Sequence, residues 1–189
     1  MRPLPKVVFD HFRAPRCKGQ VEDPSARGEI SGRSPDSRLQ LCWRLDAAER
    51  IELVRFESEG DRGSDAPLSL LASELQGMSL EAAEALTAEQ LAEAYGLGDE
   101  HLPMLLPAWE LLQATLANQR GDPNPYAFEG GLVCTCLSVR EGRIRRAIRE
   151  RRLTTLSEVS FWTRACTGCR SCRPEILRLL KAELGRDEP

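Results

Sequence analysis
Five of the seven cysteines in this chain of 189 residues fall in two short stretches, "CTC" at Cys134 to Cys136 and "CTGCRSC" at Cys166 to Cys172. Thiols gathered in this way can form disulfides, hold a zinc ion or hold an iron–sulfur cluster. The N-terminal "MRPLPKVVFDHFR" has an apolar stretch interrupted by Asp10 and His11, unlike a secretory signal. The expected compartment is therefore the cytoplasm, where clustered thiols serve metals or catalysis more often than disulfides. Zinc sites commonly pair two C-x2-C knuckles. Here the first pair is C-x-C and the second stretch holds a spare cysteine, which favours iron–sulfur while leaving zinc open.

The backbone around these cysteines must bend. "VCTCLS" runs up to a helix start and is expected as a loop. The second stretch ends just before "RPEILRLLKAELG", a helix with Pro174 at its start and Gly185 at its end. Two further helices are expected, an arginine-rich one over "REGRIRRAIRERR" and one capped by Thr154 or Thr155 with Glu158 in "TTLSEVSFWTRA". No strand is evident in this part. Three short helices bury little, so such a module calls for a metal staple.

Upstream the pattern differs. "LPKVVFDHFR" suits a short amphipathic helix, and Leu39 to Leu45 with Ile51 to Ser58 read as a β-hairpin. A helical stretch broken near Gly77 and ending near Gly96 follows. A last helix has Pro107 near its first turn. The expected fold is an α+β N-terminal domain, a small antiparallel sheet with packed helices, followed by a small all-α domain. The boundaries fall at 1–119 for the first domain, 120–131 for a Pro- and Gly-containing linker and 132–189 for the second. From Tyr126 onward the chain carries 13 basic and 8 acidic residues, whereas the remainder carries 13 basic and 21 acidic. Such asymmetry suggests parts with different partners. No apolar run is long enough to cross a membrane. The arginines are not interleaved with aromatics, so nucleic acid is not an expected partner.

The segment from Val133 to Ile176 resembles the [2Fe-2S] domain of bacterioferritin-associated ferredoxin, also found in the middle of NifU proteins. Their C-x-C, about 32 residues, C-x2-C pattern falls on Cys134, Cys136, Cys169 and Cys172. Ile144 to Ile148 and Thr155 to Val159 also match it. The resemblance implies that these four cysteines bind a [2Fe-2S] cluster. Cys166 is then a small buried hydrophobe, or a substitute ligand. Arg140, Arg143, Arg145, Arg146, Arg149, Arg151 and Arg152 would place positive charge nearby and favour the reduced state.

The first 120 residues resemble the U-type scaffold domain of IscU and NifU, through "VVFDHFRAPRCKGQV", the hairpin, Phe56-x3-Gly60 and "LQGMSLEAA". Aligned by the hairpin, the family's three assembly cysteines fall on Pro35, Asp61 and near Met104, its aspartate on Ser37 and its histidine near Pro103. None is a thiol. Proline and methionine cannot replace thiolates at such an iron site. Cys42 reads as a core residue, Cys17 as an unreactive thiol, and His11 as packing. The resemblance implies a non-enzymatic protein that takes part in iron–sulfur cluster assembly or carriage. Its partners would be proteins: a cysteine desulfurase, a cluster acceptor or a redox partner. It also allows a homodimer. An electron carrier serving a ferritin or reductase is the alternative.

Overall fold
The computed structural model describes residues 3–32, 37–127 and 130–185. These form two compact units, one over 3–32 with 37–127 and one over 130–185.

The first unit is built on an antiparallel three-stranded sheet, β1 (Ala26–Ser31), β2 (Arg38–Leu45) and β3 (Ile51–Glu59), with β2 in the centre. The expected hairpin is β2–β3, and its register sets Leu41 against Phe56 and Trp43 against Val54. Leu39, Leu41, Trp43, Ile51, Val54 and Phe56 are all fully buried. β1 was not expected. Its buried positions alternate, but two of the three, Ala26 and Gly28, are small, so the apolar signal is faint. Gly28 lies against the backbone of Thr115, where a Cβ would come within 2.5 Å of the Thr115 nitrogen. Glycine is thus what lets a helix close over β1.

That helix is α5 (Leu102–Arg120), preceded by α1 (Lys6–Arg13), α2 (Asp65–Leu75), α3 (Leu80–Ala85) and α4 (Ala88–Ala94). Gly77 and Gly96 both have left-handed φ, 82° and 64°, where the helical stretch breaks and ends. α5 corrects the expected start. Pro103 occupies the first turn and Pro107 lies inside the helix. A proline there removes one backbone hydrogen bond, yet the helix continues through it, with Leu105, Leu111, Leu112 and Leu116 buried. His11 is buried, with Nδ1 2.8 Å from Ser69 Oγ, and ties α1 to α2 as packing. Burial pushes its pKa down.

The second unit contains α6 (Glu141–Arg151), α7 (Leu156–Thr163) and α8 (Arg173–Leu184). A short ribbon of β4 (Leu132–Cys134) and β5 (Val139–Arg140) precedes them, which corrects the expectation of helices alone. The ribbon has too few residues to show a period. α7 begins with the expected capping box, Thr155 accepting from the Glu158 N–H and Glu158 accepting from the Thr155 N–H. Ile144, Ile148, Val159, Ile176 and Leu179 form the core, together with Cys134, Cys166 and Cys172. Arg145 and Arg149 on α6 both pair with the buried Glu183 of α8, so a carboxylate joins the two helices.

Candidate metal centre
Each cysteine of the second unit sits where regular structure ends. Cys134 closes β4, and Cys136 lies in the 3-10 turn Thr135–Leu137, which ends at Ser138 with a φ of 52°. Cys169 lies in the loop after α7. Cys172 is the N-cap of α8, where the helix dipole favours a thiolate.

The folding brings the four predicted positions together. Cys134 Sγ lies 3.9 Å from Cys136 Sγ, and Cys136 Sγ lies 3.3 Å from Cys169 Sγ. Cys172 is buried in the same apolar cluster as Cys134. The thiols of Cys134, Cys136 and Cys169 thus run in a chain of contacts, with Cys172 on the buried side beside Cys134. Cys134 and Cys172 are buried, while Cys136 and Cys169 are exposed. Gly168 presses on the same group, and a Cβ there would lie 3.0 Å from Cys136 Sγ.

Their protonation is uneven. The Ser171 hydroxyl and N–H at Cys169 lower its pKa to about 7. At Cys136 the Cys169 N–H acts downward, but the Cys169 thiol, desolvation and Cys134 outweigh it and the value rises. Burial pushes Cys172 up. Metal binding must remove these protons, and Cys169 gives up its own most readily.

Four of the arginines have partners of their own. Arg140 donates to the Gly130 carbonyl, Arg145 pairs with Glu141 and Glu183, and Arg149 with Glu183. The Arg151 guanidinium lies 3.6 Å over the Trp162 ring. These four therefore have partners other than the thiols. A helical arginine run shows positive charge but not which carboxylates lie on the facing helix.

In the first unit, Ser37 and Asp61 are buried side by side around Gly32, where a Cβ would lie 3.1 Å from Asp61 Oδ2. Ser64 Oγ donates to Asp61 at 2.8 Å. Ser58 donates to Asp65, and Lys18 pairs with Asp65 at 2.8 Å. Pro103 and Met104 stand half-buried in the first turn of α5, and Pro35 lies outside the described residues. Cys42 is buried in β2, where burial raises its pKa. Cys17 is half-buried with a φ of 61°. The groups around Ser37 and Asp61 are hydroxyls, carboxylates and an ammonium, hydrogen-bonded to one another, and they make a poor donor set for sulfur-bridged iron.

Comparison with known proteins places both units. Residues 4–124 match the family model described as NifU-like N terminal domain, and residues 132–182 match that of the BFD-like [2Fe-2S] binding domain. The chain belongs to the NifU-like family and carries a [2Fe-2S] binding domain. It is similar to "Nitrogen fixation protein NifU" of Azotobacter chroococcum mcd 1, 30% identical over 180 residues, covering 94% of this chain and 58% of that protein. The NifU of Trichormus azollae is 29% identical over 185 residues, covering 92% and 62%. "Iron-sulfur cluster assembly scaffold protein IscU 1" of Archaeoglobus fulgidus is 32% identical over 89 residues, covering 47% and 58%. The chain thus spans about three fifths of the length of these relatives. A solved N-terminal NifU-like protein from Brucella abortus overlaps 63% of this chain and 95% of its own, with a TM-score of 0.47 at 10% identity.

The residues present fit a [2Fe-2S] group. Four soft thiol donors converge from two loops, and Gly168 leaves room beside Cys136. Among the described residues, His, Cys, Asp and Glu form no group of three or more placed to hold a metal ion. The fit lies in the type of donor, since four thiols are what a [2Fe-2S] group takes.

Proposed function
We infer that this protein takes part in iron–sulfur cluster assembly or carriage as a non-enzymatic, cytoplasmic protein, through a [2Fe-2S] centre held by Cys134, Cys136, Cys169 and Cys172. The observation that carries this reading is the convergence of those four thiols in the unit that matches the [2Fe-2S] binding family. When bound, the cluster supplies iron and sulfide, or one electron at a time. The chain's own residues do the rest. Cys134 and Cys172 would hold the group from the apolar core, while Cys136 and Cys169 are exposed ligands that a partner would meet. Ser171 readies the Cys169 thiolate.

The first unit then serves docking rather than assembly, because docking uses surface while assembly uses thiols. A cysteine desulfurase and a cluster acceptor are the partners this implies. The names of the relatives, NifU and a cluster assembly scaffold, favour assembly or carriage over electron transport. No described helix is long and apolar enough to cross a membrane.

Cluster transfer is the test. The loaded chain is mixed anaerobically with a cluster-free acceptor protein, and iron is followed from one to the other. Transfer supports carriage. A chain that keeps its iron while exchanging electrons reversibly supports the electron-carrier alternative.

A further inference from the structure
A [2Fe-2S] centre takes four thiolates, and this loop supplies a fifth thiol. Cys166 stands three residues before Cys169, as Cys172 stands three residues after it, so two C-x2-C pairs share Cys169. Cys166 is buried in the same apolar cluster as Cys134 and Cys172. Cys166 therefore shares the buried side of the thiol site with two of the four predicted ligands.

The loop that carries it is unusual. Arg164, Cys166 and Arg170 all have left-handed φ values, 63°, 65° and 62°. Side chains other than glycine seldom adopt this conformation, so the loop holds three strained positions within seven residues. The thiol has only a long contact, 4.0 Å, to the Arg170 carbonyl. A cavity of about 420 Å³ lined by Ser157, Ser160, Thr167 and Arg170 borders it, which leaves room for the side chain to turn.

We propose that Cys166 is an interchangeable ligand that takes the place of Cys172 as the fourth thiolate. The exchange balances without any electron transfer. As the Cys166 sulfur bonds iron its proton leaves, and Cys172 accepts a proton as its own bond to iron breaks. One corner of the centre can thus change hands while Cys134, Cys136 and Cys169 hold the rest, a means of loosening a cluster for delivery. This rests on the ligand set given above.

The test uses the full chain as Cys166→Ser, Cys172→Ser and the double variant, reading iron per chain and visible absorption. Cys166→Ser should match the wild type. Cys172→Ser should keep its iron with shifted absorption bands, and the double variant should lose it. If Cys172→Ser is iron-free and Cys166→Ser is normal, the exchange is refuted while the four-ligand reading stands. If Cys172→Ser and the double variant keep iron alike, Cys172 is no ligand and both ideas fail. Loss in Cys166→Ser alone makes Cys166 the primary ligand and overturns both as stated. Should Cys172→Ser fail to fold, slow alkylation of the loaded wild type decides. Exchange predicts label on Cys166 in some molecules and on Cys172 in others while the colour persists. Label on Cys166 alone overturns it.

Discussion

Cys136 and Cys169 are separated by 32 residues, yet their sulfur atoms lie 3.3 Å apart, with Gly168 packed against Cys136. The contact joins the turn after β4 to the loop before α8, so the second unit's fold and its thiol site form together. Adding a methyl at residue 168 would put it 3.0 Å from Cys136 Sγ. Gly168→Ala should therefore displace Cys136 and lower bound iron in the full chain, without disturbing the first unit. Iron content and far-ultraviolet circular dichroism measured together check this. Normal iron in Gly168→Ala would show that the close approach is not needed.

Glu183 is buried between Arg145 and Arg149 and fastens α6 to α8. Glu183→Ala leaves Arg145 without one of its carboxylates in a largely buried position and should cost about 2 kcal/mol. The measurement is the urea concentration at which the loaded chain bleaches. An unchanged midpoint would mean that the pairing adds nothing to the helix contact.

The α7 cap is pH-dependent. The Thr154 N–H, then the Thr155 hydroxyl and N–H, hold the Glu158 carboxyl below the ordinary glutamate value of 4.5. A folded pKa below the unfolded one adds stability that is fully present above about 4.5 and is lost as pH falls through the lower, folded value. Amide exchange of residues 156–163 in the loaded chain should quicken over that acidic range, and less so in Glu158→Gln. At neutral pH, Thr155→Ala should cost about 1 kcal/mol of local stability.

In the first unit, Gly28→Ala should force α5 away from β1, since the new Cβ would lie 2.5 Å from the Thr115 nitrogen and 2.7 Å from its Cα. Backbone cannot yield as a side-chain tip can, so the loss should reach about 3 kcal/mol. Urea unfolding followed at Trp43, buried on the neighbouring strand, measures it.

Much of this was legible in the sequence because the signals were local or sharply spaced. The Thr155 and Glu158 box and the 39–45 and 51–58 hairpin are local, and the C-x-C with C-x2-C pattern is sharply spaced. What the sequence hid depends on distant partners. β1 escaped notice because Ala26 and Gly28 are small to admit α5. Pro107 read as a helix start because the burial that carries α5 through it comes from the sheet. The pairing of two α6 arginines with Glu183 was hidden because Glu183 lies on another helix.

The most direct test of the four-thiolate centre is the colour and metal content of the full chain purified without oxygen, beside a variant with Cys134, Cys136, Cys166, Cys169 and Cys172 all changed to serine. The wild type should be red-brown, with visible charge-transfer bands and about two irons and two sulfides per chain. The variant should be colourless and iron-free even after incubation with ferrous iron, cysteine and a desulfurase, because the first unit offers no thiolate set of its own. A colourless wild type holding one zinc, or a variant that still assembles a cluster, would contradict the account.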